Sequence, residues 1–265
     1  MKIWFKKIFD FIIYGFAIIG AILIFGFVFS KSNLTKDAGM ADKKTDYFDL
    51  SRKLTDNPNY TWMNTDEYIA LKEGLKKEKV VLDRIERETD IKPRLLISIL
   101  FVEQMRLYNS DRELFKKVFE PLKLLGVQSQ YSWGVLGLKQ ETLIQIEENE
   151  KKEGGNSLAF ASTTKNIDEE RFLRVTDEHN HYYTYLYAAI FLKQLENQWE
   201  KAGFPISNRP EILATLYNIG FTNSKPKANP EVGGAEIEIA GEKYSFGRLA
   251  YEFYYSNELL DIYPR

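Results

Sequence analysis

The sequence predicts a mainly α, exported domain with one small β-hairpin, carried behind a single N-terminal transmembrane helix. Three observations lead there: a charge-free N-terminal run, a series of apolar stripes at helical spacing, and one alternating stretch near the C-terminus. The 265 residues suffice for one good-sized domain with appendages. At 44% hydrophobic and 28% charged, the composition is that of a globular protein. A net charge of −2, without an extended basic run, gives no reason to expect a nucleic-acid partner. The absence of cysteine excludes disulfides, a thiol nucleophile and thiolate metal sites.

The N-terminal run, Phe11 to Phe29, holds 19 residues without a charge. That length crosses a hydrocarbon core of ~30 Å at ~1.5 Å per residue. Lys2, Lys6 and Lys7 precede it, which keeps the N-terminus cytoplasmic and places the rest outside the membrane. Val28-Phe29-Ser30 is a passable cleavage site, but the run exceeds an ordinary signal-peptide core, so a retained anchor is expected. The domain reading is therefore residues 1–30 as cytoplasmic stub and anchor, 31–64 as membrane-proximal spacer, and 65–265 as the folded domain. The spacer is polar and aperiodic, ordered near its end by Tyr60 and Trp62.

From Thr65 one long helix is predicted, with Tyr68, Leu71, Leu75, Leu82 and Ile85 on one face. Asp90 and Pro93 mark a break before the next. In that next helix Leu96, Ile99, Leu100, Glu103 and Leu107 share a face, so Glu103 stands where a leucine is expected. A carboxylate buried there must find partners or hold its proton, and a carboxyl protonated near neutrality is what a general acid requires. The plainer alternative is an ion pair with Arg106 or Arg94 on the same helix.

A capping box at Ser110–Glu113 opens a helix closed by Gly126, and a loop runs from Tyr131 to Gln140 into a helix through Leu143 and Ile146. Residues 147–170, charged and aperiodic, read as a surface insertion. Tyr182, Tyr185, Leu186, Ala189, Leu192, Leu195 and Trp199 predict a strong helix ended by Gly203, and Pro210 starts a short one ended by Gly220. Residues 235–246 alternate around Ala240-Gly241 as a β-hairpin, and Phe246, Leu249, Ala250 and Phe253 define a last helix. Asp177-Glu-His-Asn-His181 holds both histidines; at a helix entrance such residues commonly cap, and no metal site is assigned to them.

Three stretches then stand in order: Ile99-Leu-Phe-Val-Glu-Gln104, Ser132-Trp-Gly-Val-Leu-Gly-Leu-Lys-Gln140 and Ala214-Thr-Leu-Tyr-Asn-Ile-Gly220. Together they resemble the lytic transglycosylases of the soluble-type, goose-lysozyme-like group. That resemblance implies a lysozyme-like fold and cleavage of peptidoglycan glycan strands between N-acetylmuramic acid and N-acetylglucosamine, closing a 1,6-anhydro ring. It implies Glu103 as the single acid/base, Ser132, Gln140, Tyr217 and Asn218 as substrate-binding residues, and no cofactor. Gly134 and Gly137 are read as turn geometry, and Asn218 alternatively as a helix-end residue. The chain departs from the family pattern in having Gln104 where Ser usually follows the acid and Lys139 where Met usually stands. A water-using muramidase with a second acid among Glu141, Asp177 and Glu178 is the first alternative. A non-catalytic peptidoglycan-binding or envelope-scaffold protein of the same fold is the second. An anchor implies an envelope setting without naming a protein partner in it.

Overall fold

The computed structural model describes residues 59–108 and 132–265, together with Gly20. The described chain is mainly helical: α1 (Asp66–Lys77), α2 (Lys79–Thr89), α3 (Pro93–Tyr108), α4 (Gln140–Lys152), α5 (Ile167–Thr176), α6 (Tyr182–Lys201), α7 (Pro210–Ile219) and α8 (Phe246–Tyr255). Two antiparallel hairpins accompany them, β1 (Ser132–Trp133) with β2 (Leu138–Lys139) and β3 (Glu236–Ile239) with β4 (Glu242–Ser245). The charge-free N-terminal run, apart from Gly20, the spacer up to residue 58 and the expected Ser110–Gly126 helix lie outside the described residues. Among the described residues no helix is long and apolar enough to cross a membrane.

The structure is built around α3, which touches α1, α2, α6, α8 and β3. Residues 93–102 are all buried, so α3 is a core helix enclosed on every side rather than an amphipathic one with a single apolar stripe. Two polar residues of its first half are satisfied internally. Ser98 Oγ donates to the Arg94 carbonyl at 2.7 Å, and the buried Arg94 guanidinium donates to the carbonyls of Phe253, Tyr254, Ser256 and Glu258. Those carbonyls lie in the last turn of α8 and just beyond it. Of the two alternative partners considered for Glu103, Arg106 pairs with it at 2.6 Å while Arg94 serves these carbonyls.

The expected long first helix is interrupted at Glu78, where α1 gives way to α2. Thr65 caps α1 by accepting from the Tyr68 amide, with Asp66 and Glu67 in the first turn and Lys76 and Lys77 in the last, matching the helix dipole. Trp62 is fully buried ahead of it, edge-on to Tyr68 and packed on Phe101 at ring-centroid distances of 4.9 and 4.7 Å.

The C-terminal hairpin follows its alternation. Ile237 and Ile239 point inward and Glu236 and Glu238 outward, with Ile239 opposite Glu242 across the turn. Ala240 (φ 50°) and Gly241 (φ 81°) both occupy the left-handed region, as a two-residue turn of this kind requires. The stretch expected as an aperiodic insertion is helical at its two ends. α4 runs to Lys152 and α5 begins at Ile167, leaving residues 153–166 irregular. Arg171 ties the two helices by donating to both oxygens of Glu147 (2.6 and 2.7 Å), a partner the local sequence does not reveal. At the entrance to α6, the Asp177 carboxylate accepts from the amides of His179 and Asn180, and His181 pairs with Glu78 at 3.0 Å.

Candidate active site

Glu103 lies in the last turns of α3 with 3% of its surface exposed. Over it passes the turn of the β1–β2 hairpin, a pairing of two residues per strand that the sequence reading took for plain loop. Gly134 (φ 66°) and Gly137 (φ 61°) both need the left-handed region, and Gly137 donates to the Gly134 carbonyl at 3.3 Å. Turn geometry is only part of their role. A Cβ on Gly137 would fall 2.9 Å from Glu103 Oε2, so the glycine lets the backbone lie directly on the carboxylate.

Two side chains hold this turn in place. Gln104 Nε2 donates to the Val135 carbonyl at 2.7 Å, and Tyr217 Oη donates to the Leu136 carbonyl at 2.9 Å. The residue that departs from the family pattern after the acid is thus a fastener for the turn. Tyr217 is buried, and burial, with the Glu103 charge adding and Arg106 opposing, pushes its phenol well above the ordinary tyrosine range. It remains a neutral donor at any physiological pH.

Its neighbour Asn218 does not cap α7, which ends at Gly220. Its carbonyl oxygen accepts from the Ala235 amide at 2.8 Å, fixing α7 to the entry of β3 and leaving the amide nitrogen as the end free to serve a ligand. Glu103, Gly137, Tyr217 and Asn218 meet at one cleft of about 200 Å³. Arg106, one turn on from Glu103, shares it and donates to Glu103 Oε2 at 2.6 Å. The N-terminal turn of α4 (Lys139, Glu141, Thr142) and residues Phe221–Asn223 complete the walls.

The other expected site residues are placed less directly. Gln140 is the first residue of α4, half-buried, and is not among the residues that line the cleft. Ser132 pairs with Lys139 in the hairpin, and its side chain lies outside the described residues. Asp177 and Glu178 line a separate depression on the other flank of the turn, together with Gln104, Gly134 and His181. Of the three acids considered as a second carboxylate, Glu141 alone shares the cleft of Glu103. Among the described residues no group of three or more His, Asp or Glu is arranged to hold a metal ion.

Sequence reasoning missed the 221–223 wall and treated Arg106 only as a pairing partner. The signal for the wall was its position, directly after the Gly220 that ends α7. No family model matches the chain, and neither does any curated protein or solved structure.

Proposed function

We propose that the protein is a membrane-anchored lytic transglycosylase of lysozyme-like fold, whose Glu103 cleaves the β-1,4 bond between N-acetylmuramic acid and N-acetylglucosamine. The observation that supports this best is the meeting of a buried carboxylate, a phenol and a primary amide from two helices in one cleft. In the first step Glu103 gives a proton to the glycosidic oxygen, and the leaving sugar departs as an alcohol. The N-acetyl group of the muramyl residue stabilises the positive charge at C1 by substrate assistance, so one carboxylate suffices. In the second step Glu103, now a base, takes the proton of the 6-hydroxyl as that oxygen bonds to C1. The ring closes without water, and Glu103 regains its proton.

The Asn218 amide is suited to orient the N-acetyl carbonyl. Tyr217 acts through the turn that it fastens. The charge-free N-terminal run would anchor the protein with its domain on the outer side of the membrane, beside its polymeric substrate. A second reading, a water-using muramidase, draws on Glu141 standing in the same cleft.

The test is mass spectrometry of muropeptides released from purified sacculi by the full chain and by Glu103→Gln. Anhydro-muramyl products from the parent protein alone are expected, with a loss of at least ~10³-fold in the variant, given what positioned acid/base groups contribute. Reducing ends would move the assignment to the muramidase. No release from either protein would overturn both.

A further inference from the structure

Arg106 has more donors than Glu103 employs. Its side chain is 10% exposed, its Nη2 donates to Glu103 Oε2, and its buried Nε has no hydrogen-bond partner among the described residues. A guanidinium N–H sealed from water without an acceptor is costly, and the guanidinium fork suits a carboxylate held by two parallel bonds. On another wall of the same cleft stands the first turn of α4, which begins at Gln140. The leading N–H groups of a helix lack intrahelical acceptors and carry the positive end of its dipole, an effect the Glu141 carboxylate in that turn partly offsets.

We propose that Arg106 and the N-terminal turn of α4 form a carboxylate-binding subsite beside Glu103, and that its ligand is a carboxylate borne by the muramyl residue. This rests on the glycan-cleaving reading and narrows it. The carboxylate is either that of the lactyl group or one from an attached peptide. Its arrival offers Arg106 a second partner and competes with Glu103 for the guanidinium. Arg106 keeps its charge throughout. A glycan lacking muramyl carboxylates would leave the Arg106–Glu103 pair intact and be cut poorly.

The experiment uses the full chain in detergent with three probes: a denuded muramyl–glucosaminyl tetrasaccharide with free lactyl carboxylates, its methyl ester, and the peptide-bearing tetrasaccharide. Binding is measured by calorimetry and products by mass spectrometry. The free acid is expected to bind at least ~10-fold more tightly than the ester, the scale of a charge-assisted hydrogen bond. Arg106→Gln should abolish that preference, and Glu103→Gln should tighten binding of the acid. Tighter binding of the peptide-bearing probe than of the ester, lost in Arg106→Gln, would identify the peptide as the source of the carboxylate. The acid-to-ester comparison on the parent protein needs no variant to fold. Equal binding of acid and ester, or binding of no probe, overturns the subsite. If anhydro products still form, the glycan-cleaving reading survives that failure. An acid preference that depends on Arg106, with no anhydro product, overturns the transglycosylase and keeps the subsite.

Discussion

Glu103 in α3 and Glu252 in α8 are buried to the same degree, 3% and 2% exposed, and each is bonded to an arginine on its own helix. Their surroundings differ. Glu252 Oε1 accepts from Arg248 Nε at 2.9 Å and its Oε2 from Trp62 Nε1 at 3.1 Å, while Arg248 also reaches Glu242. Burial raises the Glu252 carboxyl above its ordinary range, with Arg248 opposing. It joins the turn at Trp62 to the last helix and lines neither the cleft of Glu103 nor the depression beside it. Glu103 instead lies under the backbone of a glycine and beside a cleft that α7 and α4 also line. Burial beside an arginine is therefore common to a structural acid and a candidate catalytic one. What separates them is an opening that admits a ligand and donors from other helices converging on it.

Glu252→Ala should break this comparison most visibly. It leaves Trp62 Nε1 and one edge of Arg248 without their acceptor in the core, a change expected to cost about 3 kcal/mol. Chemical denaturation would measure that loss, and glycan cleavage per folded molecule should stay within about twofold of the parent, since stability and site terms are separable at distant positions. Glu103→Gln should do the reverse. A Glu252 variant that lost cleavage while keeping its stability would end the distinction between the two acids.

Gly137→Ala sharpens the comparison from the other side. The new methyl would meet Glu103 Oε2 at 2.9 Å, at a backbone φ of 61° that strains any residue with a Cβ. The strain should cost about 1–2 kcal/mol of stability. Displacing the carboxylate should lower kcat/KM for glycan cleavage by about 100-fold, the scale of an ångström of misplacement. Thermal melting and steady-state kinetics on the same preparation separate the two. Melting that drops while kinetics hold would show that the turn does not position Glu103.

How much of this was legible beforehand depended on how local each cause was. The hairpin at 236–245 and the α8 face were readable because Ile237, Ile239, Leu249 and Phe253 repeat at periods of two and of three to four within one element. Glu103 stood out because it interrupts an apolar pattern. The enclosure of α3 was not readable from that pattern, since the residues around it come from elements far apart in the chain. The β1–β2 pairing has two residues per strand, too few to show alternation. The end of α4 and the start of α5 looked aperiodic, and the bond from Arg171 to Glu147 that joins the two helices spans 24 positions. The bond from Asn218 to Ala235 spans 17 positions and likewise leaves no local trace.

The pair His181–Glu78 offers the subtlest test, because it lies near the cleft yet resembles Glu252 in its role. It joins the α1–α2 break to the start of α6, and His181 lines the depression beyond the turn from Glu103. The Glu78 hydrogen bond raises the His181 pKa above its ordinary 6.5, with burial opposing. A group that binds its proton more tightly folded than unfolded contributes stability that is complete below the unfolded pKa and is lost as pH rises through the folded one. The parent protein should therefore lose stability as pH rises above about 6.5, seen as a fall in melting temperature. His181→Gln and Glu78→Gln should each flatten that slope. Because the pair fastens helices and does not line the cleft of Glu103, the pH profile of cleavage should be the same in His181→Gln as in the parent. A profile displaced in that variant, at unchanged stability, would move His181 from the side of Glu252 to that of Glu103.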